Sequence, residues 1–192
     1  VLHPATLLPA VRRGIPVFVG SSKDPAAGGT RVCNETRNPP LFRALALRRK
    51  QTLLTLHSLN MLHTFGFLAE LFNILARHNV SVDLITTSEV SVALTLDTTG
   101  STSTSASLLT QALLTELSSL CRVEVEEDLA LVAIIGNQLS KACGVGKEVF
   151  GVLDPFNLRM ICYGASSYNL CFLVPGNDAE SVVRTLHRNL FE

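Results

Sequence analysis

Apolar and polar positions along this chain change period several times, and each change marks an element. Leu7, Leu8 and Val11 give residues 1–14 one apolar side, with Pro4 suited to the first turn of a helix and Gly14 to its end. Residues 15–19 form a continuous apolar run of strand length, expected to be buried. A Ser/Pro/Ala/Gly-rich loop follows over 21–29, then a short strand over 30–33, and Asn38, Pro39 and Pro40 break the chain. Residues 52–59 read as a strand. Phe67, Leu68, Leu71, Phe72 and Leu75 then recur at helical spacing as far as Asn79. Two strands, 80–87 and 90–96, are joined tightly around Ser88 and Glu89. A Ser/Thr-rich loop over 98–107 ends by capping a helix along Leu108, Leu109, Ala112, Leu113 and Leu117. Residues 122–126 alternate like a half-exposed strand, which completes the order βαββαβ. A second series follows: strand 129–135, helix 145–153, strands 158–163 and 169–174, helix 178–190.

The second series is the first one again, displaced by 78 residues. Gly66 falls on Gly144, Glu70 on Glu148, Phe72 on Phe150, Leu75 on Leu153, Asn79 on Asn157 and Ser88 on Ser166, without a gap from about Leu53 to Leu96. Apolar character is kept at Leu54/Val132, Leu56/Ile134, Val92/Leu170 and Leu94/Phe172. A duplicated supersecondary unit outranks other readings of a fold. The second copy ends one strand short, and an unpaired sheet edge is a liability. The strand over 30–33 is expected to fill that place, so that the first unit is inserted within the second.

Two polar positions break the repeat: Asp83 falls on Ile161, and Glu89 on Ser167. One copy therefore carries acids that the other lacks. The turn from Asn60 to Leu68 leads into a helix N-terminus through Gly66, where N–H groups and the helix dipole favour a carboxylate or phosphate. With Ser81, Val82, Asp83, Ser88 and Glu89 nearby, such a site would offer N–H groups to an anion and two carboxylates to cations. A free amino acid with a cationic side chain fits that inventory. The competing reading is solvated strand-end acids and an ordinary turn glycine.

Composition narrows the classes. With 192 residues, 47% hydrophobic, the chain suits one large or two small globular domains. Zero formal net charge argues against a nucleic-acid surface, and no apolar stretch is long enough for a membrane span. The chain begins with Val1, has no charged-then-apolar leader, and is expected to be a fragment of a longer protein. Its five cysteines are irregularly spaced, which supports neither a disulfide framework nor a zinc site; buried reduced thiols are expected. Gly144-Val145-Gly146-Lys147 lacks the preceding glycine and following hydroxyl of a phosphate loop and reads as a helix entrance. The five histidines have no catalytic partner at meaningful spacing, and Arg48-Arg49-Lys50 reads as a solvated strand entrance.

Beyond spacing, residues 1–25, the run 81–97 (Ser-Val-Asp-Leu-Ile-Thr-Thr-Ser-Glu-Val-Ser-Val-Ala-Leu-Thr-Leu-Asp) and Met160-Ile-Cys-Tyr-Gly-Ala-Ser-Ser resemble the lysine-sensitive aspartokinases, with Leu53 to Val174 similar to a tandem pair of ACT domains. The resemblance implies an α+β chain of two interleaved ferredoxin-like βαββαβ ACT domains, preceded by the last helix and strand of an amino-acid-kinase domain. The expected limits are 1–28 for the kinase tail, 52–127 for the first ACT domain, and 29–36 plus 128–192 for the second. It further implies allosteric feedback inhibition by L-lysine of an enzyme that phosphorylates L-aspartate with ATP and Mg. This chain would carry no catalytic residue and no cofactor, and would be inactive alone. The family's lysine site maps onto Met61, Thr64, Gly66, Phe67, Leu68, Ser81, Val82, Asp83, Ser88 and Glu89, where first ACT domains of two chains meet. Which acid takes the side-chain ammonium stays open. Val1 would lie beside the nucleotide, and Phe65 departs from the polar or basic residue expected there. A cytoplasmic homodimer or tetramer without metal, nucleic acid or membrane is implied; a ligand-free dimerisation module is the alternative.

Overall fold

The computed structural model describes residues 3–33, 37–62, 65–97 and 109–192. It divides into two compact units, residues 1–40 and 41–192. In the first, helix α1 (Pro4–Arg12) starts at His3, whose Nδ1 accepts the N–H of Ala5 at 3.2 Å, and carries proline at its first turn as expected. Strands β1 (Val17–Gly20) and β2 (Gly29–Val32) pair antiparallel as a two-stranded ribbon. The buried strand expected over 15–19 is instead exposed at Ile15, Phe18 and Val19. A ribbon of two strands has no second layer within this unit to cover it.

The second unit is one six-stranded sheet with helices. Its strands are β3 (Phe42–His57), β4 (Ser81–Thr87), β5 (Ser91–Asp97), β6 (Arg122–Gly136), β7 (Met160–Cys162) and β8 (Asn169–Pro175), in the order β4-β5-β3-β6-β8-β7. Helices α2 (Phe67–Arg77) and α3 (Gln111–Leu120) belong to the first repeat; α4 (Val145–Leu153) and α5 (Ala179–Phe191) belong to the second.

Two strands are far longer than the pattern predicts, and they explain the repeat. Strand β3 pairs with β6 along both halves: Leu45, Leu47 and Arg48 face Ile134, Val132 and Leu131, while Leu54, Leu56 and His57 face Val125, Val123 and Arg122. Between the halves the register shifts around Arg48, Gln51 and Leu53. Lys50 and Asp128 mark the kinks with left-handed φ of 55° and 56°, and they are related by the offset of the repeat. Each strand therefore closes one βαββαβ unit with one half and opens the other unit with its second half.

The strand that completes the second unit is thus the first half of β3, not residues 30–33. Those pair with β1, so the assignment of 29–36 to the second ACT domain is corrected, with residues 34–36 outside the described segments. The borrowed-strand logic holds with a different strand, one that the kink at Lys50 parts from the strand opening the first unit.

The matched apolar pairs all become core. Leu54, Leu56, Val92 and Leu94 pack under α2 and α3, and Val132, Ile134, Leu170 and Phe172 pack under α4 and α5. Because side chains alternate across a strand, intervening residues build a third core on the opposite face. There Leu53, Leu129, Leu131, Met160, Cys171 and Leu173 meet Leu84 and Ala93. The edge strands β4 and β7 approach each other beside it, with Cys162 Sγ donating to the Ile85 carbonyl at 3.7 Å.

Candidate functional site

The connection from β3 into α2 begins at Ser58, whose N–H donates to the Val90 carbonyl at 2.9 Å. That bond ties the connection to the turn carrying Ser88 and Glu89. One 3-10 turn covers Leu59–Leu62, and Met61 packs partly against the core beneath α2. Gly66 then adopts φ 91°, a left-handed conformation; a Cβ there would meet nothing, so the backbone angle and not space calls for glycine. The N-cap residue Gly66 has no side chain to cap α2, and among the described residues none caps its first-turn N–H groups. Phe67 is buried into the core, while Leu68 stays exposed.

The acids are arranged differently from expectation. Strand β4 is an edge strand with Ser81 opposite Asp97 at one end and Thr87 opposite Val92 at the other. At the usual rise per residue Asp83 lies about 13 Å along β4 from Thr87, and Glu89 sits beyond that end in the turn. The expected site residues of one chain therefore fall at two places. Met61, Gly66, Phe67, Leu68, Ser88 and Glu89 share one end of the sheet, and Ser81, Val82 and Asp83 the other. Thr64 and Val1 lie outside the described residues.

Local bonds refine each position. Ser88 Oγ lies 2.6 Å from Ser91 Oγ and accepts the Ser91 N–H at 3.1 Å, so this hydroxyl shapes its own turn. Glu89 is exposed and has no ion pair among the described residues. Asp83 sits in a bulge, where Asp83 and Leu84 together face Thr95; the Thr95 hydroxyl accepts the Leu84 N–H at 3.0 Å. Its Oδ2 accepts from Arg48 Nη1 at 2.6 Å. Arg48 is thus an ion-pair partner of Asp83 and not a merely solvated strand entrance. With the partners 35 positions apart in sequence, no local spacing signal could have paired them.

The second repeat closes the equivalent region on itself. Tyr163 donates its hydroxyl to the Leu139 carbonyl at 2.6 Å, and the Leu139 N–H donates to the Ser167 carbonyl at 2.8 Å. The hydroxyls of Ser140 and Ser167 meet at 3.0 Å, and the Leu139 side chain is fully buried. Gly144 opens α4 with φ 85°, as the helix-entrance reading requires.

Other candidates are weak. Burial pushes the Cys162 and Cys171 thiols up, with Asp83 nearby adding to it, so both stay protonated. Cys33 and Cys143 are exposed, which corrects the expectation of uniformly buried thiols. A cleft of about 470 Å³ opens at the strand kinks beside Arg49, Lys50, Asp128 and Gly176. Its lining includes none of the expected lysine-site residues. Among the described residues no helix is long and apolar enough to cross a membrane, and no side-chain group is arranged to hold a metal.

Known proteins resemble this chain along its full length. An ACT domain model matches residues 132–190. Lysine-sensitive aspartokinase 3 of Escherichia coli (strain K12) is 85% identical over the whole chain, which spans 43% of that protein. A crystal structure of E. coli aspartokinase III with lysine and aspartate (T-state) superposes with a TM-score of 0.88 at 83% identity, covering all of this chain and 42% of that one. The R-state structure of that enzyme with aspartate and ADP gives 0.87 at 85% identity, over 100% and 43% of the two chains. This chain therefore belongs to the lysine-sensitive aspartokinases and corresponds to their ACT-bearing regulatory region.

Proposed function

We propose that this chain senses free L-lysine through a site shared by two copies, and passes that signal to the kinase domain of a longer polypeptide. The observation that carries the reading is the division of the acids and N–H groups between opposite ends of the open edge strand β4. If two β4 strands pair antiparallel about a two-fold axis near Leu84 and Ile85, Ser81 to Asp83 of one copy come beside the Gly66 and Ser88–Glu89 end of the other. Each site then gains N–H groups for the carboxylate and two acids for the ammonium groups.

The repeat supplies an internal control. Leu59, Leu62, Phe65 and Leu68 are exposed in the first unit. At the same positions the second unit has Asn137, Ser140, Cys143 and Gly146. An apolar rim on the acid-bearing unit alone fits a surface that a second copy covers. The domain limits follow as 52–127 for the first ACT unit, and 128–192 completed by Phe42 to Arg48 for the second. Residues 1–28, extended by β2, would be the end of a kinase domain.

In the longer enzyme, lysine would favour an inactive state of an ATP- and Mg-dependent aspartate kinase. The coupling would be of the usual ~1–3 kcal/mol size. Taken alone this chain would be inactive, and the cytoplasm is the natural setting of such a biosynthetic sensor. The engagement of Ser88 in its own turn and of Asp83 by Arg48 favours one second reading, a dimerisation module without ligand. Titration calorimetry of the dimeric chain with lysine, threonine and methionine separates the two. Lysine alone should give saturable heat; a folded dimer giving none at millimolar lysine would leave only the second reading.

A further inference from the structure

We propose that Phe65 is the lid of the ligand-carboxylate subsite: when two copies join, its ring covers the first turn of α2 and excludes water from the N–H groups there. This rests on the lysine-sensor reading above.

Phe65 is 102% exposed, more than any other large apolar residue described, and it directly precedes Gly66. The chain thus holds an aromatic ring in water beside the N-terminus of α2, whose N-cap Gly66 has no side chain. Between Leu59 and Glu70 the sequence supplies no lysine or arginine. Among the described residues of this turn, a carboxylate at the start of α2 would meet backbone N–H groups and the helix dipole. Such an interaction is weak in open solvent and several-fold stronger when partly buried.

Shielding the turn would strengthen that contact, and Phe65, next to Gly66, is placed to do so. Leu62 and Leu68, three residues to either side in sequence, are also exposed and apolar. The second repeat has the same helix entrance, with Gly144 left-handed and no side-chain cap, yet carries the small Cys143 at the matching position. It also lacks the two acids. The ring and the acids thus occur together in the copy that would hold an amino acid, and are absent together from the copy that closes on itself. A lid acting on the carboxylate should matter only for ligands that have one.

The test uses the full chain at concentrations where it is dimeric by sedimentation, with lysine and lysinamide as paired probes. Lysinamide keeps both amines and replaces the carboxylate with a neutral amide. Phe65→Ala should weaken lysine binding roughly tenfold and lysinamide less than twofold, and Phe65→Leu should recover most of the loss. Equal losses for both probes, or a loss that vanishes once all protein is held dimeric, would make Phe65 an interface anchor and overturn the lid. Unchanged lysine affinity in Phe65→Ala would also overturn it while leaving the sensor standing. A wild-type chain that binds no lysine would remove both.

Discussion

Replacing Asp83 with asparagine separates a binding role from a structural one, because the two predict different magnitudes. In the structure the carboxylate accepts from Arg48 through Oδ2 at 2.6 Å, with side chains 28% and 47% exposed for Asp83 and Arg48. An ion pair this open to water is screened and contributes at most about 1 kcal/mol. The amide oxygen of the asparagine would still offer Arg48 an acceptor. Stability should therefore fall by less than about 1 kcal/mol, a melting shift of roughly 2–4 °C for a chain of this size. Oδ1 has no partner among the described residues and is the atom an ammonium group would meet. A hydrogen bond between two charged groups is worth about 1.5–3 kcal/mol, so Asp83→Asn should weaken lysine binding roughly 10- to 150-fold. Calorimetric titration with lysine and thermal melts on the same samples read both quantities. Unchanged affinity would remove Asp83 from the site. A melting shift beyond about 10 °C accompanying the lost binding would make the ion pair structural and refute the partition.

Two further substitutions test the fold. A Cβ at Gly136 would lie 2.0 Å from the Leu41 carbonyl oxygen and 2.8 Å from Leu139 Cδ2, where β3 enters beside β6. Gly136→Ala should cost at least about 2 kcal/mol in urea unfolding; at Gly146, where the nearest atom is 3.8 Å away, alanine should be neutral or stabilising. Equal stability of the two variants would contradict the close approach. The second concerns acid. Hydrogen bonds from Arg77 and then His78 hold the Glu116 carboxyl below its ordinary value of 4.5. A depressed folded value stabilises above the unfolded one and is lost as pH falls through it, so the clip between α2 and α3 should weaken below about pH 4.5. Melts from pH 3 to 7 should show a flatter acid limb in Glu116→Gln than in the wild type, and parallel limbs would deny the clip a role.

Much of the fold was written in the period of the apolar residues. The duplication, the helices on Phe67 to Leu75 and Val145 to Leu153, and the need for a borrowed strand were all legible. The borrowed strand itself was not. Phe42, Leu45 and Leu47 pack against the core, but a register irregularity after Phe42 spoils their alternation, and the kink at Lys50 parts them from the strand they continue. A search for strict period-two runs passes over such a segment. The site was legible as a set of residue types and not as a place. Asp83 and Glu89 stand six residues apart in sequence, yet β4 is extended and carries Asp83 away from the turn that holds Glu89. In the proposed site their union needs a second chain, which no single sequence displays.

The crossing of β3 and β6 also explains why duplication did not produce two separable domains. Each strand spends one half in each βαββαβ unit, so removing either unit would leave the other with an open edge and an exposed core. Residues 41–192 accordingly form a single compact unit, and the third core, from Leu53 and Leu84 to Met160 and Leu173, joins the two units across their helix-free faces. Strand β4, which carries Ser81 to Asp83, packs Leu84 into that core and reaches β7 of the other repeat through Ile85 and Cys162. A ligand that pulled on one edge strand would therefore be mechanically connected to the copy that lacks the two acids, and that copy would need no ligand of its own to take part in the response.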